Sequence, residues 1–284
     1  MPLCRHLASC LLAIPFAAAG LAQTVTPSHG PTKGYLLITG GATQAPDFTR
    51  FIEMAGGKEN ARIVVIPTAS VVHPETQSQL QQEYCVDPKS GFAGTQCTVL
   101  HTTDRATANT LAFTAPLTSA TGVWLVGGRH WRLTDAYLNT RTLTELFALL
   151  DRGGTIGGGS AGATVQGSFM VRGSADPDDN TIMMAPAHEI GFGFFTNVTI
   201  DQHVDARHRE NDLAPVMATY PTLLGLGLDQ STSMTIHGDT LTANGPHRIA
   251  VWDHKDHNGK PFYYLLRGDT LNTATWTPTF APHP

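Results

Sequence analysis

Four apolar runs, each ending on glycine or proline, constrain the fold of this chain more than any other feature. Tyr35-Leu36-Leu37-Ile38-Thr39 stops at Gly40-Gly41, Arg62-Ile63-Val64-Val65-Ile66 at Pro67, Gly122-Val123-Trp124-Leu125-Val126 at Gly127-Gly128, and Thr155-Ile156 at the glycines from Gly157. Continuous apolar runs of this length suit strands buried on both faces, as in parallel sheets covered by helices. Between the first two runs, Asp47 is placed to cap a helix over Phe48–Ala55, which Gly56-Gly57 ends. Strand, helix, strand with short joints is a βαβ unit. Thr134 or Asp135 can cap a second helix running to Leu150, and further strands are expected at Thr98–His101, Val198–Ile200 and Ser233–Ile236. In the tail, Ile249–Trp252 and Phe262–Leu266 alternate apolar and polar residues around the hairpin signal Asn258-Gly259. The expected fold is α/β, a doubly wound, mostly parallel sheet with an antiparallel C-terminal edge. No repeat or linker divides residues 34–284, which read as a single domain, and the polar residues 23–33 read as a flexible leader.

In doubly wound sheets the chemistry gathers outside the carboxyl ends of the strands. The fourth run leads there into Gly158-x-Ser160-x-Gly162, the pattern of a nucleophile elbow, in which a strained strand-to-helix turn exposes a serine hydroxyl. A Gly-rich loop with a helix-capping serine would show the same five residues. A serine nucleophile needs a base and usually an acid that orients it. His203, in Asp201-Gln202-His203 directly after the strand Val198–Ile200, is the candidate base, again at a strand end. Asp176 or Asp178, in the polar turn that follows Val171-Arg172-Gly173, is the candidate third member; a solvated Asp-Pro turn is the rival reading. The N–H groups of Ala161 and Gly128 are the expected oxyanion donors. A metal site from His203, Asp205 and His208 lacks the spacing of a helical histidine pair, so neither metal nor cofactor is expected.

Arg5 and His6 precede the apolar run Leu7–Leu21, which exits through small residues to Ala22. This is the pattern of a secretory signal over residues 1–22, implying export to a periplasm or the medium. The run is too short and Ala-rich for a membrane span. Removing Arg5 takes the net charge from −5 to −6, and nothing basic is clustered enough for nucleic acid. Cys4 and Cys10 leave with the signal; the remaining pair, Cys85 and Cys97, is expected to form a structural disulfide, two unpaired thiols being the alternative.

Gly-x-Ser160-Ala161-Gly162-Ala163, Asp201-Gln202-His203 with Arg207 and Arg209, and Ala61-Arg62-Ile63-Val64-Val65-Ile66-Pro67-Thr68-Ala69-Ser70 together resemble the cyanophycinases, a branch of the serine peptidase family that also holds the aspartyl dipeptidases. The resemblance runs from about Tyr35 to the C-terminal hairpin. It implies a flavodoxin-like or class I glutamine-amidotransferase-like fold, Ser160 as nucleophile and His203 as base. It also implies hydrolysis of cyanophycin, multi-L-arginyl-poly-L-aspartate, to β-Asp-Arg dipeptides. Candidate substrate contacts are His130, Asp201, Gln202, Arg207 and Arg209, the arginines suiting carboxylates through their planar forks. Three positions depart from the family pattern: His130 stands for a glutamine, Asp212 for a third arginine, and Gln230 for a carboxylate. These departures favour, as a second reading, the same mechanism on another acidic or β-aspartyl peptide. A third reading is a binding protein that keeps the fold without turnover. The partner is a peptide or polymer in the first two readings, and the oligomeric state stays open between monomer and homodimer.

Overall fold

The protein is described from a computed structural model covering residues 26–283, apart from Val72, Pro74, residues 177–183 and Pro186. The expected signal segment and Asp178 lie outside these described residues. In chain order the elements are β1 (Tyr35–Thr39), α1 (Ala45–Met54), β2 (Arg62–Ile66), α2 (Gln77–Gln81), β3 (Gln96–Val99), α3 (Arg105–Ala108), α4 (Leu111–Ser119) and β4 (Gly122–Leu125). They continue through α5 (His130–Tyr137), α6 (Arg141–Asp151), β5 (Thr155–Gly159), α7 (Ala161–Thr164), β6 (Gly167–Phe169), β7 (Phe195–Asp201), α8 (Ala214–Thr219), β8 (Leu224–Leu228) and β9 (Ser233–His237). The chain closes with β10 (Thr240–Ala243), β11 (Ile249–Trp252), β12 (Tyr263–Leu265), β13 (Thr270–Asn272) and β14 (Thr277–Thr279).

Among the described residues the strands form two sheets. The larger runs β14-β13-β10-β9-β1-β5-β4-β2-β3. From β1 to β3 all neighbours are parallel, and from β9 outward they are antiparallel. The mostly parallel sheet with an antiparallel edge is therefore present, β1 and β2 falling on the apolar runs that announced them. The expectation of one sheet needs correction. The strand around Val198–Ile200 belongs to a second sheet, β12-β11-β8-β7-β6, with β6, β7 and β8 parallel and the β11/β12 hairpin antiparallel. Apolar clusters fill both faces of the parallel strands: Leu36, Ile38, Val123 and Leu125 pack into a core shared with the second sheet, while Leu37 and Trp124 face Phe51 and Phe92. Strand alternation makes this division, since successive side chains point to opposite faces.

Local chemistry shifts three further boundaries. Asp47 is not the cap of α1 but its third residue, accepting from the Gln44 N–H at 3.3 Å and from the Ser233 hydroxyl at 2.7 Å. The single helix expected up to Leu150 is two helices, α5 and α6, parted at Asn139, whose φ of 58° breaks the run. Asparagine tolerates that left-handed conformation better than most residues. Residues 26–33 are pinned rather than flexible: buried Ser28 donates its N–H to the Thr273 carbonyl at 3.1 Å, and Gly30 donates to Gly238 at 3.0 Å. Cys85 and Cys97 form a disulfide with Cα atoms 5.5 Å apart, tying the one-turn π-helix Gln82–Val86 to edge strand β3. No helix among the described residues is long and apolar enough to cross a membrane.

Candidate active site

β5 ends in a turn where Ser160 takes φ 53° and ψ −117°, and α7 starts at the next residue. A non-glycine residue held there is disfavoured by about 1–3 kcal/mol, so the surroundings must impose it. They do: the Ser160 N–H donates to the Thr39 carbonyl at 3.2 Å, and its own carbonyl accepts from the N–H groups of Ala163 and Thr164. The turn can close because Gly158 and Gly162 touch; a Cβ on Gly158 would fall 2.5 Å from the Gly162 oxygen.

The Ser160 hydroxyl lies 2.9 Å from Nε2 of His203, which also sits at positive φ, 55°. Nδ1 of His203 lies 2.8 Å from Oε1 of Gln230. An amide oxygen only accepts, so Nδ1 carries the ring proton and Nε2 offers its lone pair to Ser160. Gln230 is fixed in turn by its own N–H, which donates to the Asp205 carboxylate at 2.6 Å. The third place beside the histidine thus belongs to Gln230, not to Asp176, which is exposed with its N–H donating to the Ser174 hydroxyl. Topology explains the correction. Gln230 occupies the turn between β8, which lies beside β7, the strand that leads to His203, and β9, which lies beside β1, the strand that leads to Gly40. That turn carries the chain from the second sheet to the first.

The imidazole has room because residue 41 has no side chain. Gly41 has φ +98°, and a Cβ there would fall 2.1 Å from the ring carbon of His203. Burial lowers the His203 pKa from its ordinary value, the Gln230 hydrogen bond opposing this and the charges of Arg207 and Arg209 adding to it. The imidazole therefore stays neutral, as a base must, to lower pH than a free histidine. The N–H groups of Gly128 and Ala161 donate to no protein acceptor among the described residues, and Gly127 packs directly against Ser160. Two open donors beside a serine that faces a neutral imidazole can receive a developing oxyanion while a proton moves from oxygen to nitrogen.

A cavity of about 440 Å³ opens beside Ser160, lined in part by Gln202, His130, Arg129, Arg132, Arg172 and Arg207. Of the expected substrate contacts, His130, Gln202 and Arg207 reach it. Asp201 and Arg209 do not: both are buried behind it. Asp201 grips Arg172 with two bonds of 2.8 and 3.0 Å, and Arg209 donates to the Gln202 carbonyl at 2.9 Å. Arg172 also reaches Asp212 at 2.5 Å, so the acid that replaces an expected arginine orients a different arginine into the cavity. Burial works against that guanidinium, but the bonds and charges of Asp201 and Asp212 outweigh it and hold its pKa above the ordinary value. Sequence reading missed Arg129, Arg132 and Arg172, since nothing local distinguishes a cavity arginine from a solvated one.

Residues 36–244 match the sequence pattern of Peptidase family S51, most of the described chain. The chain belongs to Peptidase family S51. It is a serine-type peptidase, as the cyanophycinase resemblance implied. It is 31% identical over 238 residues to a cyanophycinase from Synechococcus elongatus, covering 81% of this chain and 71% of that one. It is 28% identical over 216 residues to a cyanophycinase from Trichormus variabilis, covering 73% and 69%. In fold this S51 peptidase is similar to the crystal structure of a peptidase from an acI-B1 Actinobacterium, with TM-score 0.64, 21% identity and coverage of 86% and 98% of the two chains. A putative peptidase E from Listeria monocytogenes gives TM-score 0.54 at 16% identity, over 75% of this chain and 98% of that one.

His130 opens α5 and is buried against the backbone of Val171 and Arg172, with Nε2 unpartnered among the described residues. Burial is the main cause that brings its pKa down to about 4, with the charges of Arg129 and Arg172 adding to it. In the unfolded chain it titrates near 6.5. The folded form therefore binds fewer protons, and its stability falls as pH drops from 6.5 towards 4, by about 3 kcal/mol at the limit. Urea unfolding across that range is expected to show this loss, and H130Q, which cannot charge, is expected to remove most of it. Equal acid sensitivity in the two proteins would contradict this placement of His130.

Proposed function

We propose that this S51 peptidase hydrolyses cyanophycin or a closely related β-aspartyl polymer, with Ser160 as nucleophile. The observation that carries the reading is the 2.9 Å contact between Ser160 and His203 on the rim of an arginine-lined cavity. Ser160 Oγ attacks the scissile carbonyl carbon as its proton passes to His203 Nε2. The resulting oxyanion is received by the N–H groups of Gly128 and Ala161. Collapse breaks the C–N bond, His203 returns the proton to the departing amine, and an acyl-enzyme on Ser160 remains. Water, deprotonated by the same imidazole, attacks the ester and restores the serine. Arg129, Arg132 and Arg207 supply guanidiniums for the free carboxylates of the arginyl branches, since the aspartyl side-chain carboxyls of that polymer are amide-bonded, while Arg172 is held by Asp201 and Asp212; the two cyanophycinase relatives support this substrate class. Another acidic or β-aspartyl peptide is the second reading, favoured by the buried His130 in the same cavity, whose Nε2 has no partner among the described residues. The secretory pattern of residues 1–22 and the Cys85–Cys97 disulfide support an exported enzyme working in an oxidising compartment on polymer released by other cells.

The test incubates the protein with cyanophycin, β-Asp-Arg and α-aspartyl dipeptides in parallel, with S160A as control. Release of β-Asp-Arg from cyanophycin by wild type alone supports the first substrate, and turnover of other acidic peptides only supports the second. No turnover of any of them would leave a binding protein. kcat/KM is expected to rise with pH through a midpoint below 6.5, because only neutral His203 accepts the serine proton and its pKa is lowered. Q230E is expected to move that midpoint upward, since a carboxylate at Nδ1 favours the imidazolium. A profile that is flat in acid, or unmoved by Q230E, would contradict the assignment of His203.

A further inference from the structure

We infer that a second cavity next to the Ser160 cavity is a subsite for a guanidinium side chain of the substrate. It measures about 330 Å³ and is walled by Phe48, Tyr84, Phe92 and Trp124, with Glu83 and Asp87 at its edge. The rings form one cluster: Phe48 and Phe51 each lie 5.1 Å from Trp124, and Phe92 lies 5.2 Å from Phe48. Aromatic faces attract a planar cation, and carboxylates take guanidinium N–H groups in pairs. Neither Glu83 nor Asp87 is engaged by a cation within salt-bridge distance among the described residues. The Glu83 carboxylate lies beside the Tyr84 hydroxyl, which, already raised by burial, it helps push up to about 12. Lys89 also lines this cavity, but it is exposed on a flexible stem and leaves the two carboxylates in the majority.

Position relates this cavity to the reaction. Tyr84 in its wall shares a 2.8 Å hydrogen bond with Ser70, which lines the Ser160 cavity. Val126, also in the wall, is followed at once by Gly127, which packs on Ser160. The two cavities are thus neighbours of opposite character, one lined by arginines and the other by aromatic rings and carboxylates. A chain that presents carboxylates to the first and a guanidinium to the second matches both. The wall is built by the π-helix Gln82–Val86, a rare geometry that re-aims side chains, and Cys85 within it is anchored by the disulfide to β3. The assignment rests on reading the Ser160 cavity as the acyl site.

The subsite can be tested without turnover, in S160A protein, by titrating acetyl-arginine amide and its neutral isostere acetyl-citrulline amide with tryptophan fluorescence and amide chemical shifts as readouts. Arginine is expected to bind about 10-fold more tightly than citrulline, consistent with a charge-assisted contact. E83Q, at an exposed position, is expected to narrow that preference to about 2- to 3-fold without changing Tm, Asp87 and the rings remaining. Equal affinities in the parent, an unchanged preference in E83Q, or no saturable binding of the arginine probe would each overturn the subsite. Selective binding by a protein that leaves β-aspartyl peptides intact would uphold the subsite and sink the proposed reaction. Hydrolysis that is indifferent to the guanidinium would do the reverse.

Discussion

Replacing Ser160 by alanine is expected to lower kcat by roughly 10⁴- to 10⁶-fold while leaving the fold unchanged. The loss is this large because the residual groups, two backbone donors and the cavity arginines, can bind and polarise a carbonyl but cannot form the ester. S160G is expected to be equally inactive, and in addition more stable than the wild type. Ser160 is held at φ 53° and ψ −117°, where glycine is unstrained. Relief of about 1–3 kcal/mol, less the greater backbone freedom of an unfolded glycine, leaves a gain of about 1 kcal/mol, or roughly 2–4 °C in Tm. A protein that is dead and more stable would mark the turn as strained for function. A lower Tm in S160G than in S160A, by the full entropic cost of glycine, would show that the turn stores no strain.

Adding one methyl group at Gly41 is expected to cost about 100-fold or more in kcat. The added carbon would fall 2.1 Å from the His203 ring, so the imidazole must leave its place between Ser160 and Gln230. A displacement of about 1 Å between reacting groups is enough for a loss of that order. Gly57 supplies the control. It also has a left-handed backbone, φ +80°, but a Cβ there meets nothing within 4 Å. G57A should therefore share the backbone strain of G41A and keep full activity. If both variants lose activity equally, backbone strain rather than the position of His203 explains the loss.

The parallel half of the large sheet was legible because its strands are buried on both faces, so Tyr35–Thr39 and Arg62–Ile66 appear as unbroken apolar runs. The elbow was legible for a different reason: close backbone contact between residues 158 and 162 demands glycine at both. The second sheet was hidden, since β6, β7 and β8 are ordinary strands whose membership depends on pairing with distant partners. The break at Asn139 left the apolar spacing of α5 and α6 nearly continuous. At the site, Ser160 and His203 could be named from strand ends, but the residue at Nδ1 could not. Asp176 lay between Ser160 and His203 in the chain and had the expected chemistry, while Gln230 reaches the ring through the convergence of two sheets. The same holds for Arg172, just before a polar turn by sequence and in the cavity wall through Asp201 and Asp212.

In the proposed reaction the Oγ of Ser160, activated by His203, is the atom that bonds to substrate. The direct measurement is mass spectrometry of protein quenched in acid during turnover of a β-aspartyl peptide, or after exposure to a fluorophosphonate. A single covalent adduct on the peptide containing Ser160, absent in S160A and much slower to form in H203Q, is the expected result. Turnover without any adduct at Ser160, or an adduct on another residue, would contradict the account.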